Sequence, residues 1–144
     1  MAFKESKSTE VSIPLPRALD TRIYIRLATL DKAVMVHLTT ATPDDAATTP
    51  MGSMVYALPD RFNPQHPLAT TLFSAEPTLE FTTRLAKLLA RKANLPVYVT
   101  NSMSFVDAGM GGTVEEEMQA LKDIVQVTLA QLREDGTMPA APVS

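Results

Sequence analysis

A chain of 144 residues has room for one hydrophobic core and little for a second. Its net charge of −3 and pI near 5.3 give no electrostatic ground for a nucleic acid or an anionic membrane as partner. The absence of cysteine excludes disulfides and thiolate zinc sites.

Hydrophobic residues at 45% and charged residues at 20% match an ordinary globular domain. No run reaches the ~18 apolar residues of a membrane span, and residues 1–10 lack the apolar stretch of a signal peptide. A soluble intracellular protein is expected, with cytoplasm and nucleus not separated. Residues 1–10 are expected to form a mobile polar lead, 11–133 a single domain and 134–144, with Gly136, Pro139 and Pro142, a loose tail.

In chain order, Val11, Ser12 and Ile13 alternate before Pro14 and Pro16, which suits an edge strand. Residues 21–29 form the clearest strand, with Ile23, Ile25 and Leu27 on one face and Arg22, Tyr24, Arg26 and Ala28 on the other. A tight link at 30–32 leads to 33–40, where Val34, Val36 and Leu38 alternate with Met35, His37 and Thr39, so the two strands read as an antiparallel hairpin. After a loop at 41–51, strands are expected at 53–58, with Met54, Tyr56 and Leu58 in alternation, and at 68–73, separated by a proline-rich loop.

The period then lengthens to 3.6. Between Pro77 and Asn94, Phe81, Leu85, Leu88 and Leu89 form an apolar stripe, with Arg84, Lys87 and Arg91 on the exposed side. A sixth strand follows at 97–101, then a Gly-rich link at 109–112. The second helix starts at Thr113, with Glu116 completing a capping box and Val114, Met118, Leu121, Val125, Leu129 and Leu132 on its apolar face. The expected fold is α+β, a six-stranded antiparallel sheet with two amphipathic helices packed on it.

Two helices cover one side of such a sheet, and the other side should be polar if it meets water. Here it carries Tyr24, Ala28, Met35 and His37, with Tyr98 assigned to one side or the other, a mixture closer to a protein interface than to a solvated face. A loop or the C-terminal segment folding over it is the alternative.

No constellation for chemistry is visible. His37 and His66 lie far apart without carboxylates at ligand spacing, and no cofactor is expected. The glycines at 109–112 precede a helix but lack the phosphate-loop Lys, and three glutamates follow. Two other readings stay open: a small-molecule-binding or enzymatic α+β domain using the half-apolar face as a pocket, and a nucleic-acid-binding adaptor using the basic helix.

The stretch Arg84-Leu85-Ala86-Lys87-Leu88-Leu89-Ala90-Arg91-Lys92-Ala93-Asn94-Leu95-Pro96-Val97-Tyr98-Val99 resembles the helix-to-strand segment of the proteasome assembly chaperone 4 family, an L-A-x-x-L-A-R-K-x-N run leading into a V-x-V strand. Thr70-Thr71-Leu72 and Val114-Glu115-Glu116-Glu117-Met118 resemble that family's preceding strand and the start of its last helix. The longer loop at 41–51 and longer tail suit a fungal-type member.

The resemblance implies a six-stranded sheet with helices and a non-enzymatic chaperone that pairs with proteasome assembly chaperone 3. The pair binds alpha subunits of the 20S proteasome, notably the fifth, during alpha-ring assembly. The Pro142-Val143-Ser144 ending lacks the hydrophobic-Tyr-any pattern of other assembly factors, so no docking tail of that type is expected. Beside the resemblance, the residues themselves suggest two surfaces: Tyr24, Met35, His37 and Tyr98 for the sister chain, and Arg84, Lys87 and Arg91 for an alpha subunit. With its mixed face uncovered, the isolated chain is expected to self-associate.

Overall fold

A computed structural model of the protein describes residues 7–16, 18, 21–30, 32–41, 52–75, 78–104 and 113–136. Strands β1 (Lys7–Pro14), β2 (Arg22–Thr29), β3 (Val34–Ala41), β4 (Ser53–Leu58) and β5 (Leu68–Phe73) precede helix α1 (Leu79–Ala93), strand β6 (Val97–Asn101) and helix α2 (Val114–Glu134). The six strands form one sheet in the order β1-β2-β3-β6-β4-β5. β1 begins at Lys7, so the edge strand takes in four residues that composition alone assigns to the polar lead.

Period-two alternation decides which side of each strand is buried. Ile23, Ile25, Leu27, Val34, Val36, Leu38, Val55, Ala57, Val97 and Val99 all point to the same side and join Leu85, Leu89, Leu121, Ile124 and Leu132 in one core. Each fully buried aliphatic side chain contributes about 2 kcal/mol, so this layer is the main stabilising term. α1 lies over β4, β6 and β5 and packs beside α2.

The expected α+β fold of six strands and two helices is observed, with one refinement: the sheet is mostly antiparallel but mixed. Neighbouring strands are antiparallel except β3 and β6, which run parallel, Val34 opposite Val97 and Met35 opposite Tyr98. β3 and β4 run in opposite directions, and the crossover from β5 through α1 inserts β6 between them. A strand in that position must run parallel to one of its neighbours.

The helices follow their local signals with two shifts. In α1 the buried line is Thr82, Leu85, Ala86, Leu89, Ala90 and Ala93, while Phe81 and Leu88 are only half-buried at its margin. Asn94 ends the helix in the left-handed region (φ 55°), its N–H donating to the Ala90 carbonyl at 2.9 Å, before Pro96 forbids continuation. The Pro77 assignment lies outside the described residues, as do the glycine link at 109–112 and the tail from 137 onward.

α2 has the expected capping box. Glu116 N–H donates to the Thr113 hydroxyl at 3.3 Å and Thr113 N–H donates to the Glu116 carboxylate at 3.0 Å, an arrangement worth about 1 kcal/mol. Val114 (73% exposed) and Met118 (44% exposed), however, lie off the core. The buried line of α2 runs through Glu116, Ala120, Leu121, Ile124, Val125, Thr128, Leu129 and Leu132, so the helix engages the core fully only from its second turn.

At the start of β4, Ser53 is fully buried in a polar knot that fixes the entry to α1. Its hydroxyl lies 3.0 Å from both the N–H and the carbonyl of Ala75 and 2.9 Å from the Thr78 hydroxyl, and its own N–H donates to Thr78 Oγ1 at 3.1 Å. Beside it, Gly52 passes so close to β6 that a Cβ there would sit 1.9 Å from the Asn101 carbonyl oxygen.

Candidate functional site

Among the described residues no helix or strand lies over the side of the sheet opposite the helices, here called the open face, and the strand register sets out its side chains in rows. One row runs Ser8, Ala28, Met35, Tyr98, Tyr56 and Thr70 from edge to edge. The next runs Glu10, Arg26, His37, Thr100, Met54 and Phe73. Tyr24, Met35, His37 and Tyr98 are therefore all on this face, each half-buried. The parity of β6 places Tyr98 here and buries Val97 and Val99 beneath the helices.

The face divides into two halves. Over β1 and β2 it is polar: Arg26 pairs with Glu10 at 3.3 Å, and Arg22 donates to the Ser12 hydroxyl at 3.1 Å and the Ser12 carbonyl at 3.0 Å. Over β3, β6, β4 and β5 it is largely apolar. Tyr56 and Tyr98 meet with ring centroids 4.5 Å apart and planes tilted 36°, Met35 is directly opposite Tyr98, and Met54 and Phe73 lie in the next row. Leu58 and Leu68, paired across β4 and β5, extend the apolar half toward the loop, where Phe62 is 98% exposed.

His37 sits on the boundary between the halves. Its Nδ1 is 2.5 Å from the Thr100 hydroxyl, and the charged groups facing it are Arg26 on β2 and, through that guanidinium, Glu10 on β1. Burial lowers its pKa below the ordinary 6.5, and the Arg26 guanidinium adds to the shift. The folded chain therefore resists protonation of His37. That contribution to stability is complete above pH 6.5 and is lost as pH falls from 6.5 through the lower folded value. Urea unfolding is expected to show a decline in stability beginning below pH 6.5 that His37→Gln flattens; an identical pH profile for the variant would contradict this.

Arg84, Lys87 and Arg91 are exposed on α1, on the helix side of the molecule and thus away from the tyrosine face. Arg84 pairs with Glu80 at 3.3 Å, one helical turn away, and lies 3.3 Å from the Met118 sulfur of α2. The structure does not bring the two sets of candidate residues together. His66 is exposed in the β4–β5 loop, and among the described residues no group of three His, Asp or Glu side chains converges as metal ligands would.

Met54 and Tyr56 belong to the apolar half as fully as Met35 and Tyr98, yet sequence reasoning passed over them. The alternation in β4 was visible. What it lacked was the strand order that sets β4 next to β6.

A family model described as proteasome assembly chaperone 4 matches residues 22–103, which run from the start of β2 to just past β6 and include every open-face and α1 candidate named above. Among solved structures, a chain of a chaperone complex for yeast 20S proteasome assembly superposes with a TM-score of 0.64. The match covers 88% of this chain and 98% of that one at 14% identity, a likeness of fold. No curated protein sequence matches the chain.

Proposed function

The chain belongs to the proteasome assembly chaperone 4 family, and from that premise we propose that it works without catalysis, by pairing with a related chain, proteasome assembly chaperone 3, and binding alpha subunits of the 20S proteasome. The family supports the assembly-chaperone role. The observation that carries the pairing is the divided open face, where Met35, Tyr98, Tyr56 and Met54 form an apolar half beside the polar strands β1 and β2. Aromatic and Met side chains at a half-exposed centre with a polar margin are the composition of a protein interface.

The sister chain covers this face. Arg84, Lys87 and Arg91, on the helix side, then remain free to meet an acidic surface on an alpha subunit, the fifth being the expected one. A chaperone of this kind stabilises a transient arrangement of subunits by differential binding and requires no chemistry of its own.

Affinity purification of the tagged full-length chain from cells, followed by mass spectrometry, tests the reading. A related chaperone chain together with free alpha subunits is the expected result. Recovery of the chain with neither would overturn it.

A further inference from the structure

We propose that the outer edge of β5 is a strand-pairing site for a second copy of this chain, joined two-fold so that the two six-stranded sheets continue into one. β5 is an edge strand whose neighbour is β4, and among the described residues nothing pairs with its other side. An edge strand presents a row of unpaired N–H and C=O groups, and proteins ordinarily guard such a row with charge or proline.

β5 has neither. Its sequence Leu68-Ala69-Thr70-Thr71-Leu72-Phe73 is uncharged, free of proline and rich in strand-favouring residues, and Leu68, Leu72 and Phe73 are each about half exposed. The opposite edge is guarded: β1 carries Glu10 in its ion pair with Arg26 and ends on Pro14.

The backbone row calls for an extended strand, and two features favour an identical one. A two-fold contact presents the same patch twice, so a strand bearing charge would repel its own copy, and β5 bears none. Centred on Thr70, the antiparallel pairing sets Thr70 opposite its counterpart and Ala69 opposite Thr71 of the second copy, a regular ladder up to the bulge that β5 makes at Leu72. Because the β1 edge is guarded, the assembly closes at two chains instead of extending as a ribbon. The backbone edge lies two strands from Tyr98, but Leu68, Thr70 and Phe73 also border the open face, so the variants Leu72→Lys and Tyr98→Asp distinguish this contact from the pairing described above.

The full-length chain alone tests it, by sedimentation over the widest attainable concentration range. A reversible dimer is expected. Leu72→Lys, a change at an exposed position, should raise its Kd roughly tenfold or more while leaving the circular dichroism unchanged. Tyr98→Asp, two strands away on the open face, should leave the dimer intact.

Since the protein has no cysteine, Thr70→Cys reports the contact directly. It should form an intermolecular disulfide on mild oxidation, whereas Ser8→Cys at the other edge should not. A chain that stays monomeric and gives no Thr70→Cys crosslink overturns the proposal. So does a dimer that survives Leu72→Lys but is lost with Tyr98→Asp, or a Ser8→Cys crosslink as fast as the Thr70→Cys one.

Discussion

Tyr98→Asp is expected to abolish co-purification of the related chaperone chain while the variant itself remains folded. Tyr98 lies at the centre of the open face, directly opposite Met35 on one side and against the Tyr56 ring on the other. In the free chain it is half-buried, so the new carboxylate stays hydrated and the cost is the lost ring contact and strand preference, about 1 kcal/mol. Beneath a partner the same carboxylate would be an unpaired buried charge, which costs about 3 kcal/mol or more. The difference, about 2 kcal/mol or more, corresponds to a drop in affinity of roughly thirtyfold or greater. Far-ultraviolet circular dichroism should be unchanged. Arg84→Glu, on the helix side, should leave the pairing intact, and equal retention of the sister chain by Tyr98→Asp and the parent would remove Tyr98 from the interface.

Gly52→Ala should be among the most destabilising single substitutions in the domain, although it adds one methyl group. The new Cβ would lie 1.9 Å from the Asn101 carbonyl oxygen and 2.8 Å from its carbonyl carbon, both backbone atoms that no rotamer change can move aside. Relief requires β4 to separate from β6 where Ser53 pairs with Asn101, and this also strains the Ser53–Thr78 knot at the entry to α1. A forced overpacking of this kind costs about 3 kcal/mol, the upper part of the usual range, and should lower Tm by roughly 10 °C. Thermal unfolding within about 2 °C of the parent would show that the two strands yield more easily than the backbone contact implies.

The elements themselves were legible in the chain because each rests on local rules. Alternation in Ile23, Ile25 and Leu27 assigned the buried side of β2, and Thr113 with Glu116 marked the start of α2. What was not legible depends on contacts between distant segments. Nothing in the five residues of β6 indicates that they lie between β3 and β4, and the parallel pairing with β3 follows from that placement alone. The exposure of Val114 and Met118 has the same origin: their spacing suits an apolar stripe, but the line that α2 buries runs through Glu116, Ala120 and Leu121 and leaves those two outside it.

The candidate site divides along the same line. Tyr24, Met35 and His37 could be placed opposite the helices from the hairpin pattern, and Tyr98 joined them only once its strand had neighbours. Met54, Tyr56 and the exposed apolar side chains of β5 became part of the surface through strand order, which no local periodicity contains. The unguarded edge of β5 likewise has meaning only because the strand is last in the sheet.

Hydroxyl-radical footprinting of the chain, free and in its purified chaperone complex, tests the central claim most directly. Burial of the open face predicts that Met35, Met54, Tyr56 and Tyr98 lose reactivity on complex formation while Met118, exposed on the helix side, keeps it. Undiminished reactivity of those four side chains, with Met118 protected instead, would place the partner on the helices and contradict the account.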